Sequence, residues 1–203
     1  MVGRLDDGSK SEDRRAPVVE PDALAAGLDL EVEPEVARDP VTVDASGRRL
    51  SAGLEGVVVE QGKWHVDQRG ALAEVVNFGW SFWTEPVVYA YCFTIRPGRI
   101  KGWGMHKLQA DRYFVASGKV RVVLYDGRER SPTFRRFSEF FFAETPGLVR
   151  IPPGVWHADQ NWGDDDAILV NYPTRPFNHA NPDKYRIDPH SGVIPFDWSL
   201  RDG

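Results

Sequence analysis

From Gly56 onward the chain is a succession of short runs of β-branched and aromatic residues, each closed by Gly, Pro or Asp, a rhythm that commits it to sheet. GVVVEQ, ALAEVVN, PVVYAYCFTI, DRYFVAS, KVRVVLYD, SEFFFAET, LVRIP and AILVNYP all have strand length and composition. No segment keeps a helical apolar period for three turns. The expectation is an all-β sandwich or barrel. The short connection at Ser117–Gly118 predicts an antiparallel hairpin between DRYFVAS and KVRVVLYD, because Gly accepts the positive φ of such turns.

A chain of 203 residues suits one filled core plus a tail. Residues 1–50 hold seven Lys/Arg against twelve Asp/Glu and so carry the whole net charge of −5. They are rich in Asp, Glu, Pro and Gly, with one helical suggestion in PDALAAGLDL, and are expected to form a loosely ordered extension. Residues 51–203 are the predicted domain. Their balanced charge argues against nucleic acid as a partner. No apolar run approaches the ~20 residues of a membrane helix. The opening MVGRLDDGSKSEDRR has no apolar stretch, so it reads as neither secretory signal nor transit peptide and a cytoplasmic location is expected. The one cysteine, Cys92 in YAYCFTI, cannot close an internal disulfide and is expected to pack. Walker, GxSxG and CxxC motifs are absent.

Two of the five histidines stand in informative settings. His106 follows a Gly-rich approach, KGWGMH, that leads into a strand. His157 follows a strand and a turn fixed by Pro152, Pro153 and Gly154, with Asn161 beyond it. That spacing resembles the second cupin motif, PxG, two residues, His, three residues, Asn, with Gly147 one residue short of the motif's first glycine. The first cupin motif is partly present: with Gly118 as its closing glycine, Asp111 falls at the acid, His106 at the second histidine and Gly104 at the first. The resemblance implies a cupin-type jelly roll. His106, Asp111 and His157 would then make an open facial metal site. Against this stand plainer roles, a hydrogen-bonded structural histidine and an Asp111 paired with neighbouring arginines.

Further segments resemble, in chain order from about Val57 to Trp198, the dTDP-4-dehydrorhamnose 3,5-epimerase family, which are metal-independent cupins. DQRGALAEV is similar to that family's DxRGxFxE strand and supplies Arg69 and Glu74; SPTF at Ser131–Phe134 matches outright; IPPGVWH is similar to IPxGxxH. KGWGMH resembles RGLH and gives His106; RIDPHSGVIPFDW resembles the NDP segment with its terminal Trp and gives Asp188. The resemblance implies an isomerase of deoxysugar or polysaccharide biosynthesis, needing no cofactor, that acts on a nucleotide sugar as a homodimer. It makes His106 the base, Asp188 its orienting carboxylate and His157 a further catalytic residue. A 4-keto group acidifies the protons at carbons 3 and 5, and imidazole titrates near neutral pH. Arg69 is implied as the phosphate grip, reaching a neighbouring subunit's pocket.

The chain also departs from that pattern. Trp103 replaces an arginine, so Lys101 or Arg99 must take its place; the enolate-stabilising lysine is missing, with Asp111 in its neighbourhood and Lys107 as the substitute; Phe177 stands where a tyrosine donates the second proton. Tyr172, His179 or Tyr185 are the substitutes for that acid. Trp103 and Phe177 are candidate stacking partners for the ligand. Three accounts stay open: a metal-free epimerase, a metal-dependent cupin using His106, Asp111 and His157, and a sugar-nucleotide binder that has lost catalysis.

Overall fold

In this computed structural model, residues 53–200 are described, with Val43 and Ala45 besides. The expected extension and PDALAAGLDL lie outside the described residues. Among the described residues there is no helix, hence none long and apolar enough to cross a membrane.

Among the described residues, twelve strands form two facing five-stranded sheets and one hairpin. The first sheet runs β1 (Val58–Gln61), β9 (Gly147–Ile151), β6 (Asp111–Ser117), β11 (Ala167–Asn171), β4 (Tyr91–Ile95). The second runs β12 (Tyr185–Arg186), β5 (Ile100–Met105), β10 (Val155–Asn161), β7 (Val120–Asp126), β8 (Phe137–Phe142). The hairpin is β2 (His65–Asp67) with β3 (Gly70–Leu72). All pairings among the described strands are antiparallel. This is the jelly-roll arrangement expected from the motifs.

Alternation along β7 shows how sequence sets the layers. Val120, Val122 and Leu124 join the core between the sheets with Val149, Ile151 and Leu169, while Val123 joins an outer cluster with Trp103, Ala158 and Ile194. The C-terminal stretch through Ile187, Phe196 and Trp198 covers that outer face. A third cluster, Phe82, Trp83, Phe114 and Leu148, covers the outside of the first sheet. Arg112, fully buried, is tolerated there because its guanidinium donates to the carbonyls of Tyr172, Glu85, Pro86 and Pro173 and lies over the Trp83 ring.

Three expectations need correction. DRYFVAS and KVRVVLYD are strands, but they do not pair: β6 bonds to β9 and β11, and β7 to β10 and β8. The chain turns a corner between sheets at Gly118 (φ +93°), where a Cβ would lie 2.6 Å from the Ala167 Cα. Gly is required there by both conformation and space. Of ALAEVVN only Ala71 and Leu72 are in a strand. Cys92 is in β4 as expected, but on its exposed side rather than packed.

Candidate active site

The two sheets enclose a cavity of about 280 Å³ lined by Tyr91, Phe93 and Tyr113 from the first sheet and by residues of β5 and β10, including Lys101, His157 and Asp159, from the second. Lys184 and Arg186 also line it. They flank Tyr185, so β12, pairing with Met105 and Gly104, sets both cations on one side of the strand.

His157 and Asp159 lie two apart on β10, so strand geometry turns both the same way. Gly104 makes the room: a Cβ there would meet His157 Nε2 at 3.0 Å. In the position where a cupin carries its first histidine, this chain therefore has only backbone. His106 follows β5 directly and stacks on His157, ring centroids 5.8 Å apart and 18° from parallel. Both imidazoles address one carboxylate oxygen, Asp111 Oδ2, from Nε2 at 3.4 Å for His106 and 3.6 Å for His157. All three residues are buried.

The loop after His106 is clamped by Asp183. Its backbone carbonyl accepts from His106 Nδ1, and its carboxylate accepts from the backbone amides of Lys107 (3.0 Å) and Leu108 (2.7 Å). A carbonyl only accepts, so Nδ1 carries the hydrogen and, in the neutral imidazole, Nε2 presents its lone pair on the side of Asp111.

The electrostatics separate these groups. Burial disfavours the charged form of His106, yet Asp111 and the Asp183 carbonyl outweigh it and raise its proton affinity above that of an ordinary histidine. Burial pushes His157 down to about 4 and keeps it neutral. For Asp111 burial is overcome by the two imidazoles and the Asn171 amide, which hold it well below the usual carboxylate range. Burial and the Asp111 charge push Asp159 up to about 8 against the opposing pull of Lys184 and Lys101, and its Oδ1 has no hydrogen-bond partner among the described residues.

The structure thus brings together His106, His157 and Asp111, with Lys101 on the same cavity. It does not pair His106 with Asp188. Asp188 is exposed and accepts from the backbone amide of His190 in its own turn, so the carboxylate against His106 is Asp111. Trp103 is 1% exposed, its ring packed against Phe137, Phe196 and Trp198. Lys107 lies over the Tyr185 ring. Phe177 sits with Arg175 and Asn178 in a separate depression, edge-on to His179. Arg69 is on the β2–β3 hairpin, ion-paired to Asp67 at 2.6 Å, and Glu74 lines a different cavity with Lys63, His65 and Trp80. SPTF has a structural use, since Ser131 and Thr133 hydroxyls donate to Asp126, which is fully buried. Sequence reading missed Tyr91, Asp159, Asn171, Asp183, Lys184 and Arg186. For Asp159 the signal existed, its spacing of two from His157, once that stretch is taken as a strand.

Comparison with known proteins places this geometry. The model of the polysaccharide biosynthesis C-terminal domain family matches residues 65–185. The chain belongs to that family. It is 34% identical over 149 residues to the probable low-salt glycan biosynthesis epimerase Agl13 of Haloferax volcanii, covering 72% of this chain and 95% of that one. It is 32% identical over 155 residues to the spore coat polysaccharide biosynthesis protein SpsL of Bacillus subtilis, covering 72% and 97%. Among solved structures, a dTDP sugar isomerase from Desulfovibrio desulfuricans G20 superposes with a TM-score of 0.67 at 28% identity, over 73% of this chain and 94% of that one. The kinship with the dTDP-sugar epimerases read from the motifs is confirmed, and the family member described here is a divergent one.

Proposed function

We propose that this protein is a nucleotide-sugar epimerase of polysaccharide or deoxysugar biosynthesis, acting next to the 4-keto group of a dTDP-4-keto-6-deoxyhexose at carbon 3, carbon 5 or both. The observation that carries this is the stacked pair His106 and His157 around Asp111, with His157 opening onto the cavity between the sheets. The pair is the base. His157, neutral by burial, is the member facing the substrate, and Asp111 stabilises the imidazolium once a proton arrives. The ketone supplies the acidity, so the chemistry calls for no cofactor. Lys101, Lys184 and Arg186 gather positive charge on the same cavity, suited to the diphosphate or to the enolate oxygen. The relatives named as an epimerase and a dTDP sugar isomerase support the substrate class.

The active form in this proposal is a homodimer. The hairpin and the chain after it expose Val66, Leu72 and Phe78, apolar surface that a second copy would cover, and Arg69 on the same hairpin would then approach the neighbouring subunit's ligand.

Incubation of dTDP-4-keto-6-deoxyglucose in heavy water tests the proposal. Label is expected at carbon 3 or carbon 5, and its incorporation is expected to fall at least ~100-fold in His157→Ala and in His106→Ala. Tight binding with no label from any 4-keto sugar nucleotide would leave a binding protein as the better account.

A metal-dependent reading has its own observation. One donor atom each from His106, Asp111 and His157 lies within 4.8 Å of the others, and His106 Nε2 and Asp111 Oδ2 have no hydrogen-bond partner among the described residues. The donor set fits a divalent ion, with the Asp183 carbonyl fixing the His106 tautomer. Near-stoichiometric Fe, Mn, Ni or Zn in the purified protein, lost in His157→Ala, would favour it.

A further inference from the structure

Inverting a carbon centre requires two groups: a base removes the proton from one face and an acid returns one to the other. The imidazoles supply the first. The position from which sequence resemblance expects the second is Phe177, which has no proton to give and lies in a separate depression. The other substitutes fail by placement. Tyr172 packs against Trp83 on the outside of the first sheet, Tyr185 is exposed beneath Lys107, and His179 is exposed beside Phe177. None of the three lines the cavity.

Two phenols do line it, Tyr91 and Tyr113. Tyr113 is edge-on to His157 at 5.8 Å and 3% exposed, so it lies against the base itself. Tyr91 stands on β4, the end strand of the first sheet, whereas His157 is on β10 in the middle of the second. A flat substrate held between the sheets would meet His157 on one face and Tyr91 on the other.

The hydrogen bonds around Tyr91 fix which way its proton can go. Asn171 is fully buried, and its Oδ1 accepts from the Arg112 backbone amide at 3.0 Å. Its Nδ2 therefore faces the Tyr91 hydroxyl, 3.0 Å away, and can only donate. The phenol oxygen is an acceptor in that bond, and its own hydrogen has no acceptor among the described residues. We propose that Tyr91 delivers the second proton of the epimerisation, from the face of the cavity opposite His157.

This assignment rests on the epimerase reading and names its acid. In the first step the imidazole takes the proton from carbon, the C–H electron pair becomes the enolate double bond, and the carbonyl π pair moves to oxygen. In the second, the enolate pair forms a new C–H bond to the phenol hydrogen on the opposite face, and the O–H pair stays on Tyr91 as phenolate. The Asn171 amide, already aimed at that oxygen, stabilises the phenolate. Transfer of the imidazolium proton to the phenolate through cavity water restores both groups, so no proton is gained or lost. Burial, with Asp111 adding to it, pushes Tyr91 up to about 12 and keeps the phenol protonated until it is used.

Tyr91→Phe removes the proton and keeps the ring. In heavy water the variant is expected to exchange substrate label within about threefold of the wild-type rate, with the deuterium on carbon of unchanged configuration. Formation of the inverted product is expected to fall at least ~100-fold. Inversion within threefold of wild type would overturn the assignment alone. Loss of exchange and inversion together, with an unchanged melting temperature, would also overturn it, making Tyr91 a binding residue. Absence of exchange in the wild-type protein would remove the epimerase reading and this assignment with it.

Discussion

His106 Nε2 lies 3.4 Å from Asp111 Oδ2, and neither residue is more than 6% exposed. The charge contact raises the proton affinity of His106 against the effect of burial. Asp111→Asn is therefore expected to lower the His106 pKa, read by NMR titration of the imidazole, and to cut substrate deuterium exchange at least ~10-fold. Asp188→Asn, at a residue whose hydrogen bonds among the described residues stay within its own turn, is expected to change exchange less than about threefold.

Gly104 leaves space for His157, since a Cβ would stand 3.0 Å from its Nε2. Gly104→Ala is expected to displace the imidazole, destabilise the fold by ~1–3 kcal/mol and reduce exchange by more than that loss of folded protein explains. Thermal melting and exchange on the same preparation check both parts.

Asp159 binds its proton more tightly in the folded chain, to about 8, than at the ordinary 3.8 of the unfolded one. Between those values the unfolded state has released the proton and the folded state has not, so this residue makes stability fall as pH rises. Asp159→Asn is expected to raise the melting temperature over wild type at about pH 8 and to raise it less at about pH 5. Each kcal/mol recovered is worth ~2–4 °C for a domain of this size.

Lys184 faces the cavity from the segment before β12, and burial lowers its proton affinity. Its ammonium makes no ion pair within the described residues, which leaves it for an anionic ligand group. Lys184→Met is expected to raise KM for the sugar nucleotide about tenfold, measured by steady-state kinetics.

Leu72 and Val66 are 62% and 74% exposed on the β2–β3 hairpin. If a second copy covers them, Leu72→Asp is expected to convert a dimer to a monomer in sedimentation or sizing. A wild-type monomer at working concentration would remove the dimer.

The strands that fill the core were legible because burial on alternate sides selects Val, Ile, Phe and Tyr: GVVVEQ, DRYFVAS, KVRVVLYD, SEFFFAET, LVRIP and AILVNYP all contain strands. The two that carry the site were not. β5 reads IKGWGM and β10 reads VWHADQN, because a strand facing a cavity gives up apolar bulk for glycine, histidine and acid. Period-two alternation therefore fails as a signal along the wall of the cavity.

By itself the sequence determined the all-β class and the cupin kinship, through turn residues and motif spacing, and it singled out His106 and His157 as the candidate histidines. Only the tertiary structure decided their partners. Asp111 rather than Asp188 meets the imidazoles, and Tyr91 comes to the cavity from the far sheet, because which side chains share a cavity is set by the strand order that joins β10 to β5 and β11 to β4 and β6. That order depends on packing between residues distant along the chain, which local pattern does not encode.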